Sequence, residues 1–209
     1  MDAPTQQLSK KKRKWLVIIG IFVVTTAAAG IALFYPFGDD EVSFVERMFA
    51  TSITLSTPPP IMAGSQEDIV IDVVVNRLPN QIYPAASLSV HFDSNYLAFT
   101  GIRQGTMRTV GNAAGTYHIP LWHSDVDASN ERGFVNTMYL DMTGGDQPYI
   151  IDENDILLRL VFRLRESASA GDVYHLVIED AVFATIDPAD SVGTSNGNLR
   201  AFNAQIIVE

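Results

Sequence analysis

Residues 85–105 constrain the fold of this chain most, because polar and apolar residues alternate there with a period of two. The polar members of the alternation are Ser87, Ser89 and His91, and apolar residues separate them. Alternate side chains of a strand point to opposite faces, so this segment would have one apolar face and one polar face. The sequence therefore predicts a β-strand that covers a hydrophobic core and exposes its other face to water.

A short polar segment interrupts the alternation. Asp93, Ser94 and Asn95 have short side chains that hydrogen-bond to nearby backbone and favour a turn. The apolar pattern resumes with Leu97 and Phe99. We therefore expect the strand to change direction at this turn without ending.

Further strands are predicted along the rest of the chain. They span residues 48–56, 69–76, 117–125, 133–142, 156–165, 173–186 and 199–208. Turn residues separate them at short intervals, and no stretch after residue 48 has the period of an amphipathic helix. The pattern predicts an all-β fold, a single jelly-roll β-sandwich of about nine strands.

An uncharged apolar run near the N-terminus begins at Trp15 and ends at Tyr35. At about 1.5 Å per residue, a helix of this length spans about 30 Å, the thickness of a bilayer core. Basic residues precede the run and acidic residues follow it, which by the positive-inside rule places the N-terminus in the cytoplasm. We expect a cytoplasmic basic tail at residues 1–14, a transmembrane helix at 15–37, a short acidic tether at 38–47 and an extracellular domain at 48–209.

A cleaved signal peptide is the alternative interpretation of the same run. Ala27, Ala28 and Ala29 are small residues of the kind that a cleavage site needs. The apolar run continues beyond Ala29 to Tyr35, which favours a retained anchor. With a retained anchor, the protein would cross the cell membrane once.

The charge of the chain is divided unevenly. Of 14 basic and 24 acidic residues, five basic residues and one acid precede position 15, which leaves nine arginines against 23 acids and a formal charge of −14. Such a surface repels nucleic acid, so DNA or RNA binding is excluded as a function. The chain has no cysteine, so it forms no disulfide, thiolate metal site or cysteine nucleophile.

Metal-binding and catalytic patterns are absent from the sequence. His123 and Asp125 would share one face of a predicted strand and His118 the other, and two ligands without a third make a poor metal site. The acidic loops at residues 125–127 and 152–155 lack the spacing of a calcium loop. No motif pairs a nucleophile with its base. We expect no metal or cofactor bound by this chain itself and no enzymatic activity.

Several motifs resemble, in order, those of the cohesin family, the β-sandwich receptors of calcium-loaded dockerin modules. They are the FDSNYLAF turn at 92–99 with Gly105 after it, DMTG at 141–144, the apolar strand at 156–164 and AGDVY at 170–174. The resemblance covers about residues 49–209. It implies a preformed sheet face that receives a helical, dockerin-type secreted partner, with calcium entering only through that partner.

The resemblance also implies which residues form the partner-binding face. They are Ala85, Ser87, Ser89, His91, Thr137, Tyr139 and Asp141. Cellulosomal cohesins have Asn and Asp where this chain has Ala85 and Ser87, and losing those hydrogen-bonding side chains implies a divergent partner. An ordinary solvated sheet face is the alternative for the polar members, whereas the aromatic Tyr139 is of a type that anchors interfaces.

Two other functions fit the same predicted sandwich. A carbohydrate-binding module would bind polysaccharide, but it usually needs a row of planar aromatics, and Trp122 is the only tryptophan of the predicted domain. A structural domain of an envelope or secretion assembly would depend on the anchor as much as on the sandwich. The interpretation that we favour is a non-catalytic protein that holds a dockerin-type or similar secreted partner at the cell membrane.

Overall fold

The structure is a computed structural model that describes residues 50–79, 83–110, 117–118, 121–141, 149–150 and 155–209. The described residues belong to one compact unit. The predicted tail, membrane helix and tether lie outside the described residues, as do residues 142–144 of the DMTG motif and residues 152–154 of the second acidic loop. In the described part of the chain, no helix is long and apolar enough to cross a bilayer.

Strands dominate the described part of the chain. In chain order the elements are β1 (Ser52–Leu55), β2 (Ile69–Asn76), β3 (Ala85–His91), β4 (Leu97–Gln104), β5 (Arg108–Val110), β6 (Tyr117–His118), α1 (Val126–Arg132), β7 (Phe134–Leu140), β8 (Tyr149–Ile150), β9 (Ile156–Leu164), β10 (Val173–Ala184), a 3₁₀ turn (Pro188–Asp190), β11 (Val192–Gly193), β12 (Arg200–Phe202) and β13 (Ala204–Ile207). The all-β prediction is therefore confirmed at the level of fold class, with more and shorter strands than expected.

Two main sheets enclose the core. One has the strand order β12-β1-β2-β9-β4, and the other has the order β11-β10-β3-β7 with β13 also pairing with β10. Strands β6, β5 and β8 form a third, small sheet. Apolar residues of both main sheets belong to one buried cluster, as expected for a β-sandwich. In β2, for example, Ile69, Ile71, Val73 and Val75 are buried and the residues between them are half-buried.

The polar turn after β3 moves the chain from one sheet to the other. Strand β3 pairs with β7 and β10, whereas β4 pairs with β9. In the turn, the backbone N–H groups of Asn95 and Leu97 donate to the side chain and the carbonyl of Asp93, both at 3.0 Å. The expectation that the strand continues through the turn is wrong, because these bonds replace the ladder of β3 and direct β4 to a different partner.

Three aromatic rings fix the position of this turn. The ring centroid of Phe162 in β9 lies 5.2 Å from that of Phe92 and 5.5 Å from that of Phe99. All three side chains are buried. These ring contacts add to the burial of apolar surface and link the residues on both sides of the turn to β9, the strand that pairs with β4.

The helix α1 contradicts the expectation that no helix follows residue 48. Among the described residues, the strand predicted over residues 117–125 is found only at β6, and residues 121–125 are not part of a strand. Asp125 caps the N-terminus of α1 by accepting a hydrogen bond from the Ala128 N–H at 3.0 Å. Gly133 ends it with a left-handed φ of 71°, and its N–H donates to the Ser129 carbonyl. These are ordinary capping signals. The helix was missed because its seven residues make fewer than two full turns and show no clear period.

Candidate partner-binding face

The outward side of β3 and its two neighbouring strands forms one continuous surface. Cross-strand pairing places Ser87 between Val182 of β10 and Met138 of β7. We call this surface the β3 face and define it by Ala85, Ser87, Ser89, His91, Asn136, Met138, Leu140, Asp180 and Val182. Residues directly opposite each other in neighbouring strands share a face, so these side chains project to the same side of the sheet.

The structure confirms the direction predicted for the β3 side chains. Ser87 and His91 are exposed, and Ala85 and Ser89 are half-buried. Leu88 and the other apolar residues between them point into the core. Whether these four residues contact a partner stays a prediction.

The direction predicted for the β7 side chains is wrong. Thr137, Tyr139 and Asp141 are 4%, 6% and 8% exposed and point away from the β3 face. Thr137 pairs with Leu88 and Tyr139 pairs with Ala86, which are both buried residues of β3. Neighbouring residues of a strand face opposite sides, and the predicted residues each lie one position after an outward residue of the chain, Asn136, Met138 or Leu140.

The residues that β7 does present are Asn136, Met138 and Leu140. Met138 and Leu140 are 54% and 53% exposed, although both are large apolar residues. The signal for them was present in the sequence, because counting in steps of two from the apolar Val135 assigns them to the outward side.

A groove of about 780 Å³ lies over the middle of the β3 face. Its lining includes Ser87, Ser89, Asn136, Met138, the His123–Asp125 segment and Asp180. The Ser89 hydroxyl donates to the Asn136 side-chain oxygen at 2.7 Å across the floor of the groove. The His123 N–H donates to the Met138 carbonyl at 3.3 Å, which holds the segment before α1 against β7.

The two carboxylates of the groove come from elements far apart in the chain. Asp125 is the N-cap of α1, and Asp180 lies next to a bulge of β10 and accepts a hydrogen bond from the Thr194 hydroxyl at 2.8 Å. Among the described residues, neither carboxylate has an arginine within ion-pairing distance. Arginine pairs are instead found on the other main sheet, at Asp68 and Asp72.

The aromatic residues near the groove do not form an exposed row. Trp122 is half-buried against the core, and its ring centroid lies 6.1 Å from that of the buried Tyr139. The ring centroid of His91, on the β3 face, lies 4.8 Å from that of its cross-strand neighbour Phe134. This arrangement does not favour the carbohydrate-binding alternative, which needs planar rings open to a sugar.

Within the described residues, no group of three or more His, Asp or Glu side chains could hold a metal ion. Asp125, half of the pair considered from the sequence, caps α1. The side chain of His118 lies outside the described residues.

No protein-family model matches this sequence, and a search of curated proteins finds no match. Solved structures do match its fold. The sixth cohesin of scaffoldin B from Acetivibrio cellulolyticus, in complex with a dockerin, gives a TM-score of 0.55 at 17% identity over 77% of this chain and 99% of that one. A type I cohesin–dockerin complex from Clostridium thermocellum gives 0.55 at 12% identity over 77% and 94%.

A cohesin from outside the cellulosome gives a similar result. The non-cellulosomal cohesin of the hyperthermophilic archaeon Archaeoglobus fulgidus matches with a TM-score of 0.50 at 16% identity, over 77% of this chain and 91% of that one. At such low identities the similarity concerns architecture alone. The described domain therefore has a cohesin-like β-sandwich fold.

Proposed function

We propose that this chain is a non-catalytic protein-binding module and that its β3 face binds a dockerin-type or similar helical module of a secreted protein. The observation that carries the proposal is the exposure of Met138 and Leu140 on a sheet face whose other members, apart from the half-buried Val182, are small or polar. Uncovered apolar side chains beside polar ones are typical of the centre and rim of an interface.

The fold supports this proposal, because cohesins of the same architecture have been solved with dockerins bound. The face is also preformed. Backbone pairing on both sides of β3 and the Ser89–Asn136 hydrogen bond hold its side chains in place before any partner arrives. A helical module could therefore dock with little rearrangement of the sheet.

The partner would differ from a cellulosomal dockerin. Ala85 and Ser87 offer no carboxylate or amide to a partner helix, and two of the three outward β7 residues, Met138 and Leu140, are apolar. Contacts at the centre of the face would then rest on apolar packing, with polar contacts moved to its edge. Calcium would enter through the fold of the partner.

The proposal extends to the cell membrane through the sequence. Residues 15–37 would anchor the chain with its N-terminus in the cytoplasm and hold the domain and its secreted partner at the outer surface. The uncharged run from Trp15 to Tyr35 and the basic residues before it support this part of the proposal.

Capture of secreted proteins by the full chain in detergent tests the function. We expect calcium-dependent retention of proteins that share a calcium-loop module, and its loss when Met138→Glu places a charge in the apolar part of the face. Met62→Glu is the matched control, because Met62 is also exposed, at 68%, and lies outside the face. If secreted proteins were retained equally well with a chelator present and by the Met138→Glu variant, the proposal would be contradicted.

A further inference from the structure

The groove on the β3 face is the feature of the described structure that says most about the partner. Its floor contributes little to the choice of partner, because the Ser89 hydroxyl donates to the Asn136 side-chain oxygen at 2.7 Å and these groups already satisfy each other. Its walls carry charge: Asp180 lies in β10 on one side of β3, and Asp125 follows His123, which bridges to Met138 of β7 on the other side. The chemistry that distinguishes one partner from another would therefore lie in the walls.

Both wall carboxylates retain capacity to accept hydrogen bonds. Asp125 accepts from the Ala128 N–H, and Asp180 accepts from the Thr194 hydroxyl. A carboxylate has two oxygens and about four lone-pair directions, so each still has acceptor sites for a further donor. The predicted domain at residues 48–209 is strongly acidic, with 19 acids against eight arginines, and its field repels an acidic partner.

Met138 adds an apolar contact at the same place. It lines the groove and is 54% exposed. Lysine and arginine have long aliphatic stems that lie on apolar surface while their charged ends reach polar groups. A volume of about 780 Å³ is ample for one such side chain together with an apolar neighbour.

We propose that Asp125 and Asp180 select a partner helix that places a lysine or arginine between them and an apolar residue over Met138. This inference rests on the proposed function and specifies the partner of that same face. The selecting charges lie on the groove walls, in the capping residue of α1 and in β10, and Ala85 and Ser87 of the β3 face contribute none.

Selection from a phage-displayed library of helical peptides, with the full chain in detergent as bait, tests the inference without a known partner. We expect the selected peptides to carry Lys or Arg at one fixed position, with an apolar residue three or four positions away. Against the double variant Asp125→Asn/Asp180→Asn, the apolar preference should remain and the basic preference should disappear. Asn keeps the helix cap and the acceptor for Thr194, so the fold is preserved.

Affinity measurements with one selected peptide make the test quantitative. We expect each single substitution to weaken binding about two- to fivefold, as for a partly exposed ion pair. Raising the salt concentration should weaken binding to the wild-type chain and have little effect on the double variant. Asp127→Asn and Glu179→Gln are the matched controls, because they remove the same charge outside the groove lining.

The outcomes separate this inference from the proposed function. Helical peptides without any basic preference, or a basic preference that survives in the double variant, would overturn the inference and leave helix docking intact. Failure to select any peptide whose binding is lost in Met138→Glu would overturn both.

Discussion

The side-chain amide of Asn130 in α1 binds both backbone groups of Phe99 in β4. Its nitrogen donates to the Phe99 carbonyl and its oxygen accepts from the Phe99 N–H, both at 2.8 Å. Strand β4 is the outermost strand of its sheet, so these groups face away from β9. Asn130 thus supplies the pairing that a further strand would give and covers this edge against association with another chain.

Removing this amide should destabilise the domain. Asn130→Ala leaves both backbone groups of Phe99 without the bonds from Asn130, and we expect a loss of about 1–3 kcal/mol in the free energy of unfolding. Urea denaturation followed by tryptophan fluorescence measures it. Glu131→Ala, an exposed neighbour in the same helix, should change stability little. Equal effects of the two substitutions would contradict the edge-covering role of Asn130.

A tight contact at Gly105 predicts that this glycine cannot be replaced. A Cβ atom there would lie 1.9 Å from the Ile156 carbonyl oxygen and 2.6 Å from the backbone of Leu157. Because backbone atoms cannot move aside cheaply, Gly105→Ala should cost about 2–4 kcal/mol or prevent folding. Gly171→Ala is the comparison, since its Cβ would meet open space and its φ of 93° adds only local strain, about 1 kcal/mol.

Thr137→Val tests the corrected direction of β7. Among the described residues, the buried Thr137 hydroxyl has no hydrogen-bond partner. Valine has nearly the same shape without the polar group, so we expect an increase of about 1 kcal/mol in unfolding free energy. Partner or peptide binding should be unchanged, because this side chain does not reach the β3 face. Weaker binding by a stable Thr137→Val variant would argue that Thr137 contacts the partner after all.

Asp68 predicts a dependence of stability on pH. A hydrogen bond from the Arg163 guanidinium at 2.7 Å, and then the charges of Arg163 and Arg103, hold the pKa of Asp68 below its ordinary value of 3.8. Because the folded pKa is the lower one, the ionised Asp68 stabilises the fold above the unfolded pKa, and this contribution is lost as the pH falls through the folded pKa.

The stability difference between the wild type and Asp68→Asn should therefore be present at pH 7 and shrink below about pH 4. Denaturation curves from pH 7 to pH 3 measure it. Glu67→Gln removes one charge next to Asp68 and has no ion pair in the described part of the chain, so its effect should be small throughout. A wild-type advantage that stays constant on acidification would contradict the role of this ion pair.

The sequence alone determined where most strands lie and which way β3 faces. Leu88 and Val90 alternate with Ser87 and Ser89, and burying the apolar set leaves one orientation for the strand. The predicted and observed bounds of β2, Ile69–Asn76, are identical. This segment is rich in β-branched residues, which favour a strand whose inner face is covered.

The tertiary structure decided what no local pattern specifies. In β7, the alternation from Val135 assigns Met138 and Leu140 to the outward side, but only pairing with β3 places them beside Ser87 and Ala85. The sequence of the polar turn after β3 is compatible with a bend in one strand or with a connection between two sheets. The packing of Phe92 and Phe99 on Phe162 favours the connection between sheets. The placement of Asp125 and Asp180 around one groove depends on the cap of α1 and the bulge of β10 lying beside it, and such a placement exists only once the strands have paired.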